Sequence, residues 1–536
     1  MITDAQARGA ASREWLDRIR LSRPDSEGRV LISTAAGPVA RVPGLIGGIL
    51  HAVKRDPVAE SRLIGARCGV TAEQVEAALG AVAAMPAVAD APARLRWVQF
   101  RAPFTVQFTF FDPSRVIRPD GLLCRLVRVR GFWPVVIVLD LVGAAVVAMH
   151  WALSTSPLHS GISIAGYGWL MVGMLASMFA HEFGHAVVLT AYGGRSPRMG
   201  FMLFYLAPAF FCDVRDNWSI AREKRVRVAL AGVAAQGVIA AVTGAVAFLV
   251  PREAGVALAT VAFFNVAYWA INLIPFVKLD GYVALAGYLD RPNLRDSSIA
   301  AFRARASRML LGGPRVDDGI TRRWVAFGAV CFLFPSVLVI GVLLALSMNL
   351  SALGTAGDGV ILLAIGILVV WTATRGWSGL KSSWSAGLSR WRAVASWSAI
   401  GAAVAAIALL LPLPVNAIAG VYVRDGQAQL ATLSVTHVGE LAGTEVTVHE
   451  PGMVLGRRIG VATVTGGFAP CEIPLSAAFP VSGSPYRLDG WCAPLDAAVV
   501  RAVSETRDDA GAVVLRLGTR APVQWVAEIW GAAFTS

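Results

Sequence analysis

The chain has 536 residues, 56% of them hydrophobic, with a mean hydropathy of +0.60 and only 15% charged residues. That excludes an ordinary soluble protein and points to a polytopic membrane protein with soluble segments at its ends. The formal net charge of +13 is explained by Arg-rich loops on one side of the apolar runs, as the positive-inside rule expects, and no nucleic-acid-binding motif accompanies it.

Residues 1–30 are polar and charged, so no cleavable signal peptide is expected there. Residues 1–93 read as a small cytosolic α/β domain. Strands are predicted at 29–34 and 39–42 around a Gly37-Pro38 turn, with short helices at 45–53 and 59–68. Thr71-Ala-Glu-Gln74 forms a capping box that opens a third helix. Strands followed by short helices resemble the winged-helix-like leader-recognition domains of peptide-maturation systems; a cytosolic domain of another role fits equally. Residues 94–131 mix basic side chains (Arg94, Arg96, Arg101, Arg115, Arg118, Arg125, Arg128, Arg130) with Trp97, Phe100, Phe104, Phe108, Phe110 and Phe111. Such a segment is expected at the cytosolic membrane surface.

A membrane core is predicted over 132–419, with about seven spans near 132–154, 166–191, 226–250, 257–279, 324–349, 359–375 and 395–419. Basic residues follow the second span (Arg195, Arg198, Arg215, 222–227), the fourth (Arg291 to Arg308) and the sixth (Arg375, Lys381, Arg390, Arg392). The loops near His159, Glu253 and Asn349 carry little positive charge. The expected arrangement is a multi-pass protein of the cytoplasmic membrane, N-terminus inside and C-terminus outside. Residues 199–212 are apolar but too short to cross, and read as a re-entrant or interfacial piece near the site. Residues 420–536 lack Lys and carry short β-branched runs at 444–448, 459–464 and 512–517 between Gly and Pro, predicting a β-rich extracytosolic domain. There Cys471 and Cys492 form either a disulfide, which that compartment permits, or two unpaired core thiols.

The chemistry concentrates in His181-Glu182-Phe183-Gly184-His185, inside the second span. Residues four apart share a helix face, so His181 and His185 can hold one zinc ion, with Glu182 as general base on the water it activates. His and Glu are disfavoured at membrane depth, which makes them functional candidates. A catalytic zinc needs a third protein ligand. Asp280, in Asn272-Leu-Ile-Pro-Phe-Val-Lys-Leu-Asp-Gly281, ends the fourth span on the side where His181 lies. Pro275 breaks the preceding turn, and Gly281 is expected to let the chain turn sharply after the ligand. Asn272 either holds substrate backbone or the oxyanion, or bonds a neighbouring helix. Asp213 and Asp216 either orient a ligand histidine or start a helix beside Trp218. His51, His150, His159, His437 and His449 are expected to be surface or hydrogen-bonded histidines.

Together these two elements resemble the site-2 protease family of intramembrane zinc metalloproteases, which pairs HExxH in one helix with Asn-x-x-Pro…Asp-Gly in a later one. The resemblance implies His181, His185 and Asp280 as ligands to one Zn2+ per chain, and Glu182 with Asn272 as catalytic residues. Many members carry a second Pro where this chain has Val277. The string Pro275-Phe-Val-Lys-Leu-Asp-Gly-Tyr282, together with Phe111-Asp-Pro113 and Asp213-Val-Arg-Asp-Asn-Trp218, is similar to the peptide zinc metalloprotease branch, some members of which accompany ribosomally made peptides such as daptides. The implied function is endopeptidase removal of the leader from a precursor peptide, in the bilayer, beside peptide-modifying enzymes or an exporter. The alternatives are a regulatory protease that cuts a membrane-anchored anti-sigma factor, or a non-hydrolytic peptide-binding protein of export or immunity.

Overall fold

The computed structural model describes the chain except for residues 1–13, 23, 25–27, 35–36, 58, 86–87, 89–96, 102–104, 154–155, 205–206, 292, 312–321, 351–354, 386–389, 436–440, 451–455, 457, 507–508 and 536. Arg94, Arg96, Phe104 and His437 therefore lie outside the described residues. The chain divides into two compact units: Met1–Val142 with Leu175–Ile239 and Asn265–Pro292, and Gly143–Met174 with Ala240–Phe264 and Asn293–Ser536.

In the first unit, strands Ile19–Leu21, Val30–Thr34 and Gly37–Val42 form an antiparallel sheet in that order, followed by helices Gly44–Arg55, Ser61–Cys68 and Ala72–Ala83. Ile19, Ile32, Leu50, Val53, Ile64 and Val75 are fully buried between them. Both halves of the expected capping box are present. Thr71 Oγ1 accepts from Gln74 N at 3.3 Å, and Gln74 Oε1 accepts from Thr71 N at 3.0 Å. The three-residue opening strand was too short to carry a period in sequence.

A second antiparallel sheet orders Val98–Arg101, Thr105–Phe111, Met199–Phe204 and Ala207–Cys212. The piece at 199–212, expected to be re-entrant or interfacial, is a β-hairpin, and part of the segment expected at the membrane surface supplies its partner strands. Gly200 permits the pairing, because a Cβ there would meet the Phe108 carbonyl. Downstream, helix Leu122–Arg128 buries Cys124 and Val127 and exposes Leu122, Leu123 and Leu126.

Among the described residues, three helices are long and apolar enough to cross a membrane: Phe132–Ala152, Ile164–Ala191 and Arg252–Asn272. Arg222–Ala229 and Ala231–Ala247, bent by 43°, make a fourth if taken as one span. These apolar helices indicate membrane association. Helices Arg322–Leu350, Thr355–Ser385 and Arg390–Leu410 follow, the last two with apolar stretches at Gly357–Ile367 and Val394–Ala403. Two predicted spans end early. The fourth helix stops at Asn272, and the seventh stops at Leu410, with strand Leu413–Arg424 beginning beyond it. Pro275 in one case and Pro412 and Pro414 in the other deny the helix its next donors.

In the second unit, seven antiparallel strands lie in the order Arg458–Thr463, Glu445–His449, Ala510–Arg520, Leu413–Arg424, Gln427–Thr432, Arg487–Pro494 and Ala469–Pro474. The β-rich prediction holds for this region. Asp425 and Gly426, with φ of 52° and 76°, make the two-residue turn that matches the twist of the strands they join. Val421, Leu430, Val448, Ala493 and Val513 are fully buried in its core. Cys471 and Cys492, on adjacent strands with Cα atoms 5.9 Å apart, are disulfide-bonded. Ile162–Ser163 pairs in parallel with Val481–Ser482, and Tyr167 donates to the Pro480 carbonyl at 3.2 Å. The loop ahead of the HExxH helix therefore touches the β-rich region.

His150 bonds Ser156 Oγ and the Gly244 carbonyl, each at 2.8 Å, and His159 bonds the Trp151 carbonyl at 3.0 Å. His51 bonds Gly47 O at 2.9 Å. All three are the hydrogen-bonded histidines expected.

Cysteine labelling tests the pairing. Denatured but unreduced protein should take up four maleimides, on Cys68, Cys124, Cys212 and Cys331, and six after reduction. Six before reduction would refute it.

Candidate metal centre

His181 and His185 sit on one face of helix Ile164–Ala191, and both are buried. Two glycines let neighbouring backbone come close. A Cβ on Gly184 would lie 3.1 Å from the Ala231 carbonyl oxygen, and a Cβ on Gly232 would lie 2.5 Å from His181 Nε2 and 2.6 Å from His185 Nε2. The bent pair of helices thus wraps the imidazoles. Its first member ends beside them, and the Val228 carbonyl accepts from His185 Nδ1 at 2.7 Å. That bond fixes the tautomer and leaves the His185 Nε2 lone pair bare.

Asp280 arrives from the other motif. The span helix ends at Asn272, residues 273–279 form an irregular segment, and Asp280 is the first residue of a new helix, Asp280–Tyr288. The ligand candidate therefore begins a helix rather than ending the fourth span, and a first-turn position favours its negative charge. Gly281 does not serve a turn: its φ is not positive. Its role is close approach, because a Cβ there would stand 2.5 Å from the Leu273 carbonyl carbon. Buried Ser177, one turn before His181, bonds buried Asn265 and ties the HExxH helix to the Arg252–Asn272 helix.

Asp280 Oδ2 lies 3.1 Å from His181 Nε2 and 3.4 Å from His185 Nε2, and the two Nε2 atoms are 3.3 Å apart. Ligand atoms on a tetrahedral zinc with bonds near 2.0–2.1 Å stand about 3.3 Å from one another. Among the described residues, Asp280 Oδ2 is buried and makes no hydrogen bond of normal geometry. Three potential ligand atoms therefore converge on one point, where a divalent cation could be held. The residues fit zinc.

Glu182 is half-buried beside them and takes a hydrogen bond from the backbone of Cys212, at the end of the outer strand of the four-stranded sheet. An aromatic cluster holds that sheet to the helix, with Phe179 ring centroids 5.8 Å from Phe183, 5.7 Å from Phe210 and 6.5 Å from Phe111. Asn272 donates to Gln236 Oε1 at 3.4 Å, the interhelical bond expected as one of its two roles.

Neither Asp213 nor Asp216 orients a ligand histidine; the Val228 carbonyl does. Asp213 accepts from Arg215 Nε at 2.7 Å and Arg215 reaches the Thr34 carbonyl at 3.0 Å, while Asp216 accepts from Arg195 N at 3.2 Å. Burial opposes the charge on Asp213, but the Arg215 guanidinium beside it holds its carboxyl below the usual carboxylate range. The Val228 carbonyl, Gly232 and the Cys212 backbone were invisible in sequence. Two are main-chain groups, and a glycine in an Ala/Gly-rich helix carries no distinguishing signal.

Fold and site together define a helical, membrane-associated protein with a His-His-Asp centre suited to a divalent metal. Over 138 residues the chain is 27% identical to a protein of Bacillus subtilis (strain 168) called "Putative peptide zinc metalloprotease protein YydH". The match takes in 25% of this chain and 54% of that relative, so the chain spans about half the relative's length. No family model matches the chain, and no solved structure does.

Gly232→Ala should abolish zinc binding, measured as metal content by plasma mass spectrometry, although it removes no ligand; stoichiometric zinc in that variant would contradict the geometry. Because the folded pKa of Asp213 is depressed, its stabilisation is complete above the unfolded value of about 4 and lost only as pH falls through the lower folded value. Asp213→Asn should therefore lower the Tm equally at pH 8 and pH 5, with the gap closing only in stronger acid.

Proposed function

We propose that the chain is a zinc-dependent endopeptidase of the site-2 type, holding one Zn2+ through His181, His185 and Asp280 and cutting a peptide at a site recessed into the membrane from the cytosolic face. The carrying observation is the approach of the three candidate ligand atoms to 3.1–3.4 Å of one another. The metal, when bound, supplies Lewis acidity that lowers the pKa of water towards ~7 and polarises a carbonyl. Glu182 takes the proton of the attacking water and passes it to the leaving amine. Asn272 exchanges its 3.4 Å bond to Gln236 for the backbone of an extended substrate. Strand Ala207–Cys212 is the outer strand of its sheet and reaches Glu182, which favours a substrate in extended form.

The proposed substrate is a small ribosomally made precursor peptide, and the reaction removes its leader. The relative's printed name, a peptide zinc metalloprotease, supports this class. In this reading the region before residue 94 delivers the peptide from the cytosol, about seven spans embed the core, and the β-rich region stands outside, where its disulfide is at home. The exposed leucines beside Arg125 and Arg128 suit a lipid surface. Modifying enzymes or an exporter would act on the same peptide.

Co-expression of candidate precursors with wild-type and Glu182→Ala protein, followed by mass spectrometry, tests the reading. Wild type should release leaderless peptide. The variant should process it about 10²–10⁴-fold more slowly with zinc content unchanged. Equal processing by the two proteins would end the enzymatic reading.

A further inference from the structure

Asp290 lies just past the short helix that begins with Asp280. Its φ is +57°, the left-handed region that favours glycine, and the main chain around it closes a helix cap: Asp290 N donates to Gly287 O at 3.4 Å and Arg291 N to Ala286 O at 2.9 Å. Asp enters this region more readily than most non-glycine residues, so the turn leaves its carboxylate free to serve a second purpose.

The side chain supplies one. Asp290 Oδ1 accepts from Arg225 Nη1 at 2.6 Å, and Oδ2 accepts from Arg41 Nη1 at 2.6 Å and Arg29 Nη2 at 3.1 Å. Arg29 and Arg41 belong to the N-terminal three-stranded sheet and its approach. Arg225 belongs to helix Arg222–Ala229, is 4% exposed and stacks over the Trp218 ring at 5.2 Å. The Trp218 carbonyl also accepts from Arg41 Nη2 at 3.1 Å. The helix that carries Arg225 ends with the Val228 carbonyl that fixes His185. The helix that ends two residues before Asp290, at Tyr288, begins with Asp280, and its length is about 12 Å at 1.5 Å per residue. Arg222 adds a second tie between these two helices, 5.0 Å over the Tyr288 ring.

We infer that Asp290 is a positioning residue through which the seated N-terminal sheet sets the placement of Asp280 against His185, so that docking of that sheet and metal binding are coupled. One carboxylate gathers three cations from three elements. Without it, the buried Arg225 guanidinium loses the carboxylate it faces. With it, the two metal-bearing elements and the N-terminal sheet share one fixed point. The inference rests on the metal-centre reading. Coupling of this kind is reciprocal: whatever loosens the sheet weakens metal binding, and metal in turn seats the sheet.

The test uses the full chain in detergent or nanodiscs, as wild type, Asp290→Asn and the double variant Arg29→Gln/Arg41→Gln. Asn accepts the left-handed conformation, so the first variant removes charge and keeps the turn. The double variant leaves Asp290 and Arg225 intact, and it decides the matter if the first does not fold. Cobalt(II) is titrated and followed by its visible absorption, and limited proteolysis of the region before residue 94 is compared with and without metal. Both variants should bind cobalt at least fivefold more weakly, within the range usual for coupled sites. Metal should protect the N-terminal region in wild type more than in either variant. Wild-type cobalt affinity in both variants overturns the inference while leaving the centre intact. No saturable cobalt binding in wild type overturns the centre and the inference together.

Discussion

Two imidazole nitrogens and a carboxylate oxygen meet within 3.1–3.4 Å of one another. In water such an approach is merely unfavourable. Inside apolar helices, where the effective dielectric is low, such a cluster suits a shared cation and depends on a scaffold that holds the three groups together. Several otherwise unrelated features of the chain serve that end. Gly184 and Gly232 bring the bent helix pair onto the imidazoles, and the Val228 carbonyl sets one tautomer. Pro275 ends the span helix early enough for a new helix to start on Asp280.

The surrounding polar contacts have the same logic. Ser177 bonds Asn265, and Asn272 bonds Gln236. Each pairs two groups that would be costly to leave alone among apolar side chains, and each joins two of the helices that frame the centre. The four-stranded sheet brings a main-chain group to Glu182 without adding another charge. Glu182 shares a helix with both histidines, but its side chain is bonded by the sheet and not by a candidate ligand, so Glu182→Ala removes the proposed base while the His-His-Asp set stays.

Much of the centre was legible in sequence because its residue types are out of place. His181, Glu182 and His185 interrupt an apolar run, and Asp280 follows a proline at the end of another. The N-terminal strands, the capping box and the β-rich tail were legible through period and turn chemistry. The hairpin at 199–212 was not, because its residues are apolar on both faces and show no alternation to separate strand from buried helix. Gly281 was read as a turn residue when its use is close packing against Leu273, a distinction that only a neighbour's position can draw. Asp213 and Asp216 were offered as partners of the histidines because carboxylates often are. A main-chain carbonyl took that role, and backbone groups carry no residue-type signature.

The central claim is that one divalent cation is held by exactly two imidazoles and one carboxylate. X-ray absorption fine structure of the zinc-loaded full chain tests it most directly. The account predicts nitrogen and oxygen scatterers alone near 2.0–2.2 Å, with the multiple-scattering signature of two imidazoles and its loss in His185→Ala. A sulfur scatterer near 2.3 Å, which would bring in Cys212, or a spectrum unchanged by removal of His185 would contradict it.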